Sequence, residues 1–188
     1  MGKSEKKSIV YLDTACMGMV SKAALNEIRT LLSDLENISS PSTQVTLELY
    51  SYMPKAREAV ANLFRASPEE IALVESTSHG LGLIANSIPL EKENNVLICD
   101  LEFMASTICL KARQEKVGFE IREVSTKNGE IKISDYGAAI DDRTRVIVVS
   151  SVQEANGFRV DIKELSRLAK KYGCYLIVDG IQEAGGLE

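Results

Sequence analysis

Continuous apolar runs alternate with helical patterns along the second half of the chain. Most of the runs lack the alternation of polar and apolar residues that a half-exposed strand shows, which is typical of strands buried on both faces of a sheet. With the intervening helical segments they predict an α/β fold, an open and mostly parallel sheet with helices on both faces. The five predicted strands lie at residues 71–74, 96–99, 119–124, 146–149 and 174–178.

The clearest predicted helix precedes the last of these strands. Ile162, Leu165 and Leu168 follow helical spacing along one face. Asp161 is the predicted N-cap of this helix, and Gly173 is the residue at which we expect it to stop.

The first third of the chain shows helical spacing without strands. Ser21 is the predicted N-cap of a first helix, and residues 56–64 predict a second one. A Ser-Pro-Glu-Glu stretch at 67–70 predicts a short capped turn. We therefore assign residues 1–66 to a helical segment and residues 67–188 to the α/β domain. The apolar face of the first predicted helix consists of Leu25, Ile28, Leu32 and Leu35.

The composition narrows the possible function classes. The 188 residues are 45% hydrophobic and 26% charged, as in an ordinary globular protein. A net charge of −5 provides no basic field for a nucleic acid, and no apolar stretch is long enough to cross a membrane. The four cysteines include no C-x-x-C pair, so we expect no metal site and no disulfide framework, but reduced thiols in a cytoplasmic protein. None of the four is expected to be an exposed nucleophile.

Polar residues collect where predicted strands end. Ligands of open parallel sheets bind beyond the carboxyl ends of the strands, so these segments are the candidates for a site. They lie at residues 76–80, 100–103, 150–157 and 179–182.

The segment 76–80 is typical of a phosphate-binding turn. Thr77 and Ser78 precede Gly80 where a strand is followed by a helix, and free backbone N–H groups at a helix start bind anions. A capped helix without a ligand uses the same residue types, and both interpretations stay open.

The same stretch also matches a dinucleotide fingerprint. Residues 80–85 fit G-x-G-x-x-A, and Asp100 ends the next strand, where an acid binds a ribose in such folds. This alternative predicts an oxidoreductase. It leaves Asp179 without a role, and the first glycine lies farther from the strand than a tight dinucleotide turn allows.

Asp179 follows a buried strand, where a carboxylate is costly unless a cation or a hydrogen-bond donor meets it. A pyridinium nitrogen is such a partner, and the cofactor with this group is pyridoxal 5′-phosphate. Phe103 is a candidate to stack on the ring, although a lone phenylalanine is more often a core residue. Gln182 is a candidate donor to the ring oxygen, although it is also an ordinary loop residue.

Four motifs carry a family resemblance. "YLDTACMGMVSKAALNEI", "EIALVESTSHGLGLIAN", "CDLEFMAS" and "VIVVSSVQEANGFRVDIKELSRLAKKYGCYLIVDGIQEAGGLE" resemble, in order, the opening, phosphate-binding, ring-covering and "VDxxQ" segments of class V aminotransferases and cysteine desulfurases. The chain is similar to the N-terminal portion of these fold-type-I pyridoxal-phosphate enzymes. The fold implied is their large domain, incomplete.

The resemblance implies roles for individual residues. Asp179 would pair with the pyridine nitrogen and Gln182 with the phenolic oxygen. Thr77 and Ser78 would hold the phosphate, with the backbone of His79 near it. The sequence departs from the family pattern at two places, Phe103 and residues 153–156.

Phe103 stands where cysteine desulfurases have a stacking histidine that is also thought to handle protons, which puts desulfurase chemistry in doubt. At the place of the family's asparagine stands Glu154, with Gln153 and Asn156 nearby, and which of the three contacts the cofactor stays open.

Family members bind pyridoxal through a lysine that follows the "VDxxQ" motif, and no lysine of this sequence occupies that position. We therefore expect a C-terminal part, either a separate polypeptide or the rest of a longer chain, and an isolated chain that is inactive. The resemblance further implies an amino-acid substrate and a homodimer of the assembled unit.

The sheet order of the family gives two further expectations. Residues 71–74 would lack a strand partner, and the strand that ends at Asp179 would form an open edge. A non-catalytic protein that keeps the fold as a binding or assembly module is a further alternative.

Overall fold

The computed structural model describes residues 10–38 and 42–186. The chain forms two compact units, Met1–Ile71 and Ala72–Glu188. The predicted division after residue 66 lies close to this one and stays a prediction.

The first unit is helical in its described part. Ser21 caps its first helix by accepting the backbone N–H of Ala24 at 3.1 Å, as the sequence predicts. The predicted capped turn is also confirmed, because the Glu70 carboxylate accepts the backbone N–H of Ser67 at 2.8 Å. The elements are α1 (Lys22–Glu36), α2 (Thr43–Tyr50), α3 (Tyr52–Phe64) and a 3₁₀ turn at Pro68–Glu70.

The apolar residues of this unit remain largely exposed. Leu25 is 38% exposed and Leu32 is 55% exposed on the apolar face of α1. Among the described residues of the unit, Ala61 of α3 is the one that is fully buried. The described helices therefore do not enclose a core of their own.

The second unit alternates strands and helices. Its strands are β1 (Asn95–Cys99), β2 (Glu120–Val124), β3 (Thr144–Ser150) and β4 (Tyr175–Asp179). Its helices are α4 (Thr77–Ser87), α5 (Met104–Val117), α6 (Ile133–Ala139) and α7 (Ile162–Tyr172). The N-cap of α7 is Asp161, and Gly173 ends the helix with a φ of 67°, as predicted.

The four strands form one parallel sheet in the order β2-β1-β3-β4. This confirms the predicted α/β fold. The prediction of a strand at residues 71–74 is wrong, because this segment joins no ladder among the described residues. Its lack of a partner strand was expected, as was the position of β4 at the sheet edge.

Helices cover both faces of the sheet, which explains the continuous apolar runs. Val146 and Val148 pack with residues of α4 and α5 on one face. Ile147 and Val149 pack with residues of α6 and α7 on the other. Both faces of the central strand β3 are therefore buried, and this unit has a core of its own.

Across the residues that the structure describes, no helix is both long enough and apolar enough to cross a membrane.

Candidate cofactor site at the carboxyl edge of the sheet

The carboxyl ends of β1, β3 and β4 lie at one edge of the sheet because the strands are parallel. Phe103 follows β1, and residues 151–157 follow β3. Gln182 lies in the turn after β4. The sheet therefore brings three of the four predicted segments to the same edge.

The later turns of α4 and α5 meet. The guanidinium of Arg113, in the second half of α5, donates to the carbonyl of Ala85, near the end of α4. The two helices also share one buried cluster. Since α5 begins directly after β1, it begins at the carboxyl edge. That the fourth predicted segment joins the other three stays a prediction.

Asp179 is the most unusual group at this edge. The residue is 4% exposed, and no ion pair joins it to a cation among the described residues. Its Oδ1 accepts the backbone N–H of Ile181 at 3.0 Å, and its Oδ2 accepts the Ser106 hydroxyl at 3.4 Å. A buried carboxylate with only neutral donors can still accept a bond from a cationic donor.

The first turn of α4 presents backbone donors. Ser76 is the N-cap, and its Oγ accepts the N–H of His79 at 3.1 Å. The N–H groups of Thr77 and Ser78 precede the first intrahelical bond, so the helix itself gives them no acceptor. The N–H of His79 is engaged by the cap, which leaves those of Thr77 and Ser78 as the donors for an anion.

A hydrogen-bonded cluster that the sequence did not indicate lies between β1 and β3. Glu102 accepts the backbone N–H of Ser150 at 2.8 Å and its hydroxyl at 2.7 Å. It also accepts the amide of Gln153 at 2.9 Å. A glutamate in a polar loop is not part of any hydrophobic periodicity. These contacts could therefore not be predicted from the sequence without the fold.

The three candidates that the sequence left open have different environments. Gln153 is 1% exposed and donates to Glu102 and to the carbonyl of Ser150. Asn156 donates to the carbonyl of Gly129 at 2.7 Å and accepts the N–H of Phe158, so it stabilises a loop. Glu154 is exposed.

The loop that carries Gln182 is tied to the segment after β3. Arg159 donates from Nε to the Glu183 carboxylate at 2.8 Å, and Glu183 is the next residue after Gln182. Gln182 itself is half-buried. The turn beyond β4 is therefore held by a side-chain contact as well as by its own backbone bonds.

The dinucleotide interpretation disagrees with this geometry. Gly80 and Gly82 lie inside α4 rather than in a strand–helix turn. The carboxylate of Asp100 accepts the backbone N–H of Thr126 at 3.1 and 3.0 Å, which engages it at the end of β2. Neither half of the fingerprint is in the position that a dinucleotide requires.

The cysteines include one exposed thiol, and the expectation that none is an exposed nucleophile stays a prediction. Cys16 is exposed, because it lies in the poorly covered first unit. Burial raises the pKa of Cys99 to about 12, so that thiol is inert. Within the described ranges, no group of three histidine, cysteine, aspartate or glutamate side chains could hold a metal ion.

Three comparisons with known proteins agree with this fold. The family model described as aminotransferase class-V matches residues 10–188. A cysteine desulfurase from Yersinia pseudotuberculosis is 29% identical over 180 residues, which are 93% of this chain and 44% of that protein. A probable cysteine desulfurase from Methanothermobacter thermautotrophicus is 26% identical and covers 95% of this chain and 45% of its own length.

Solved structures show the same fold at lower identity. A cystine C-S lyase in complex with cysteine persulfide superposes with a TM-score of 0.86 at 18% identity, over 92% of this chain and 47% of that one. The cysteine desulfurase CsdA from Escherichia coli gives a TM-score of 0.81 at 18% identity, over 93% and 45%. The chain thus spans less than half the length of these relatives.

Proposed function

Because the chain belongs to the class-V aminotransferase family, we propose that it forms the cofactor-binding part of a pyridoxal-phosphate enzyme that acts on an amino acid. The observation that carries the proposal is Asp179, a buried carboxylate at the end of β4 that meets no cation among the described residues. A protonated pyridine nitrogen is a planar, cationic donor of the kind that such a carboxylate lacks.

The other residues at this edge fit the same group. A phosphate would accept the N–H groups of Thr77 and Ser78, whose hydroxyls are further donors. Gln182 would donate to the phenolic oxygen, and Phe103, which is 46% exposed, would lie against the ring. When bound, pyridoxal phosphate withdraws electrons from the substrate's α-carbon.

Asp179 would keep the ring nitrogen protonated, which this electron withdrawal requires. Phe103 has no titratable proton, so it can exclude water from one face of the ring but cannot transfer a proton. Any proton that moves during the reaction must use other groups. The lack of a titratable proton on Phe103 distinguishes this site from one with a histidine at the same position. Whether the reaction is transamination, racemisation or desulfuration is to be determined by assay.

The lysine that binds the cofactor would come from a further segment, in the same polypeptide or in a second one. Among the described lysines, Lys127 follows the end of a strand, but that strand is β2. Three interstrand spacings, about 14 Å, separate β2 from β4, so we do not assign Lys127 this role. The open edge of β4 and the unpaired segment 71–74 are the places where such a segment would add strands, and we include a dimer of the assembled unit in the proposal.

Binding and reduction test the proposal together. Pyridoxamine phosphate has the ring and the phosphate but cannot react with surface lysines, so equilibrium dialysis should show one saturable site per chain. Pyridoxal phosphate followed by borohydride should leave no single lysine stoichiometrically labelled. Absence of saturable binding favours a non-catalytic module, and one fully labelled lysine contradicts the need for a further segment.

A further inference from the structure

The loop after β1 carries two carboxylates that reach in opposite directions. Asp100 accepts the backbone N–H of Thr126 beyond the end of β2. Glu102 accepts both the N–H and the hydroxyl of Ser150 at the end of β3. Because β1 lies between β2 and β3, these contacts tie the loop to both neighbouring strands.

The three contacts of Glu102 suit a carboxylate. The backbone N–H of Ser150, its hydroxyl and the Gln153 amide approach within 2.7–2.9 Å, and all three are donors. An ionised carboxylate has only acceptor sites, so it satisfies all three at once. Ser150 is paired with Asp179 in the ladder between β3 and β4. The contacts of Glu102 therefore reach the strand pair that presents Asp179.

Phe103 directly follows Glu102 and is the N-cap residue of α5. The residue is 46% exposed, so packing covers only about half of it. Its carbonyl accepts the N–H of Ser106 at 3.0 Å as α5 begins, without a side-chain cap. Glu102 donates its own backbone N–H to the carbonyl of Cys99 at 3.2 Å. Glu102 thus fixes the residue directly before Phe103, whereas Asp100 and Leu101 fix the earlier part of the loop.

We propose that Glu102 is a positioning residue, which fixes Phe103 at the carboxyl edge so that its ring meets a planar ligand in one orientation. Glu102 acts through Ser150 and Gln153 and does not touch the ligand. The identity of the ligand rests on the proposed function, whereas the fixing of Phe103 is a property of the chain itself.

The first test uses the chain without any ligand. Glu102→Gln removes the charge that strengthens all three bonds, and it sets an amide NH₂ against the Ser150 hydroxyl, which must turn to accept. The NMR order parameter of the Phe103 amide should fall from about 0.85 to below about 0.6. Glu123→Gln, an exposed glutamate on β2, is the matched control and should leave it unchanged. Ser150→Ala removes one donor only and should give an intermediate value, which serves if Glu102→Gln does not fold.

The second test asks whether Glu102 acts through Phe103. Glu102→Gln should raise the Kd for pyridoxamine phosphate about threefold to tenfold. In a Phe103→Leu background the same substitution should have almost no further effect, because the residue it positions is gone. A general loss of structure would instead lower binding equally in both backgrounds.

The outcomes separate this inference from the proposed function. If the unaltered chain does not bind pyridoxamine phosphate, the proposed function fails, and the order parameter of Phe103 still decides the role of Glu102. An order parameter that stays near 0.85 in both Glu102→Gln and Ser150→Ala overturns the positioning role. Equal losses of affinity with and without Phe103 overturn it as well.

Discussion

The hydroxyl of Ser106 donates to Oδ2 of Asp179 at 3.4 Å, across 73 positions of sequence. Ser106 lies in the first turn of α5 and is 1% exposed. The carboxylate is therefore oriented from two directions, because its other oxygen accepts the N–H of Ile181 in its own loop. Helix α5 thus helps to orient the Asp179 carboxylate, on which the proposed cofactor binding depends.

Replacing this serine tests that relationship. Ser106→Ala removes one of the two donors that meet Asp179 among the described residues, and it should weaken binding of pyridoxamine phosphate about threefold to tenfold. Thr107→Ala is the control, because the Thr107 hydroxyl only donates to the carbonyl of Met104 within the helix. Equal affinities for Ser106→Ala and the unaltered chain in equilibrium dialysis would show that the hydroxyl does not orient Asp179.

A second carboxylate, Asp141, ties the amino ends of the strands together. It accepts Nδ2 of Asn95 at 2.7 Å and the Arg122 guanidinium at 2.8 Å. Burial alone would raise the pKa of Asp141, but hydrogen bonds from Arg122 and Asn95 outweigh it and hold the pKa well below the ordinary 3.8. Asp141→Asn should therefore lower the free energy of unfolding by about 1–3 kcal/mol at neutral pH.

The pH dependence of that loss follows from the direction of the shift. A lowered folded-state pKa gives stability that is present above the unfolded-state pKa and is lost as pH falls through the folded-state value. The difference between the two proteins in urea unfolding should be constant above about pH 4 and should shrink below it. Asp142→Asn, at an exposed neighbour, is the control. A difference that grows toward acid pH would contradict the role of Asp141.

Hydrogen exchange tests the proposal that further strands are needed. The amides of residues 72–74 have no backbone partner among the described residues, whereas those of 146–149 lie in the central strand β3. In the 188-residue chain, residues 72–74 should exchange almost without protection while 146–149 stay protected. Strong, cooperative protection of 72–74 in a soluble monomer would remove this support for a further segment and favour an independent binding module.

Most of the sheet could be predicted from the sequence because strands buried on both faces are continuous apolar runs. Val146 and Ile147 face opposite sides of β3, and both sides are covered, so the apolar run is continuous. Residues 71–74 are also an apolar run but form no strand. A strand needs a partner strand, and apolar content does not indicate whether one is present.

The site was predictable only where a residue follows a strand directly. Asp179 is the last residue of β4, so its position in the sequence was enough to predict it. The role of Glu102 depends on Ser150, which is 48 positions away. Ser106 was missed for the same reason, since a small polar residue inside a helix has no pattern that assigns it to another element. Contacts between elements set these roles, and the order of the residues does not encode them locally.

The central claim is that Asp179 receives a pyridinium nitrogen, and its most direct test is the Kd for pyridoxamine phosphate of the unaltered chain, Asp179→Asn and the control Asp142→Asn. Asp179→Asn should raise the Kd about 10- to 100-fold, because a bond between a cation and a carboxylate becomes a neutral one. The control should match the unaltered chain, and circular dichroism should be the same for all three. An Asp179→Asn variant that keeps this fold and binds as tightly as the unaltered chain would contradict the account.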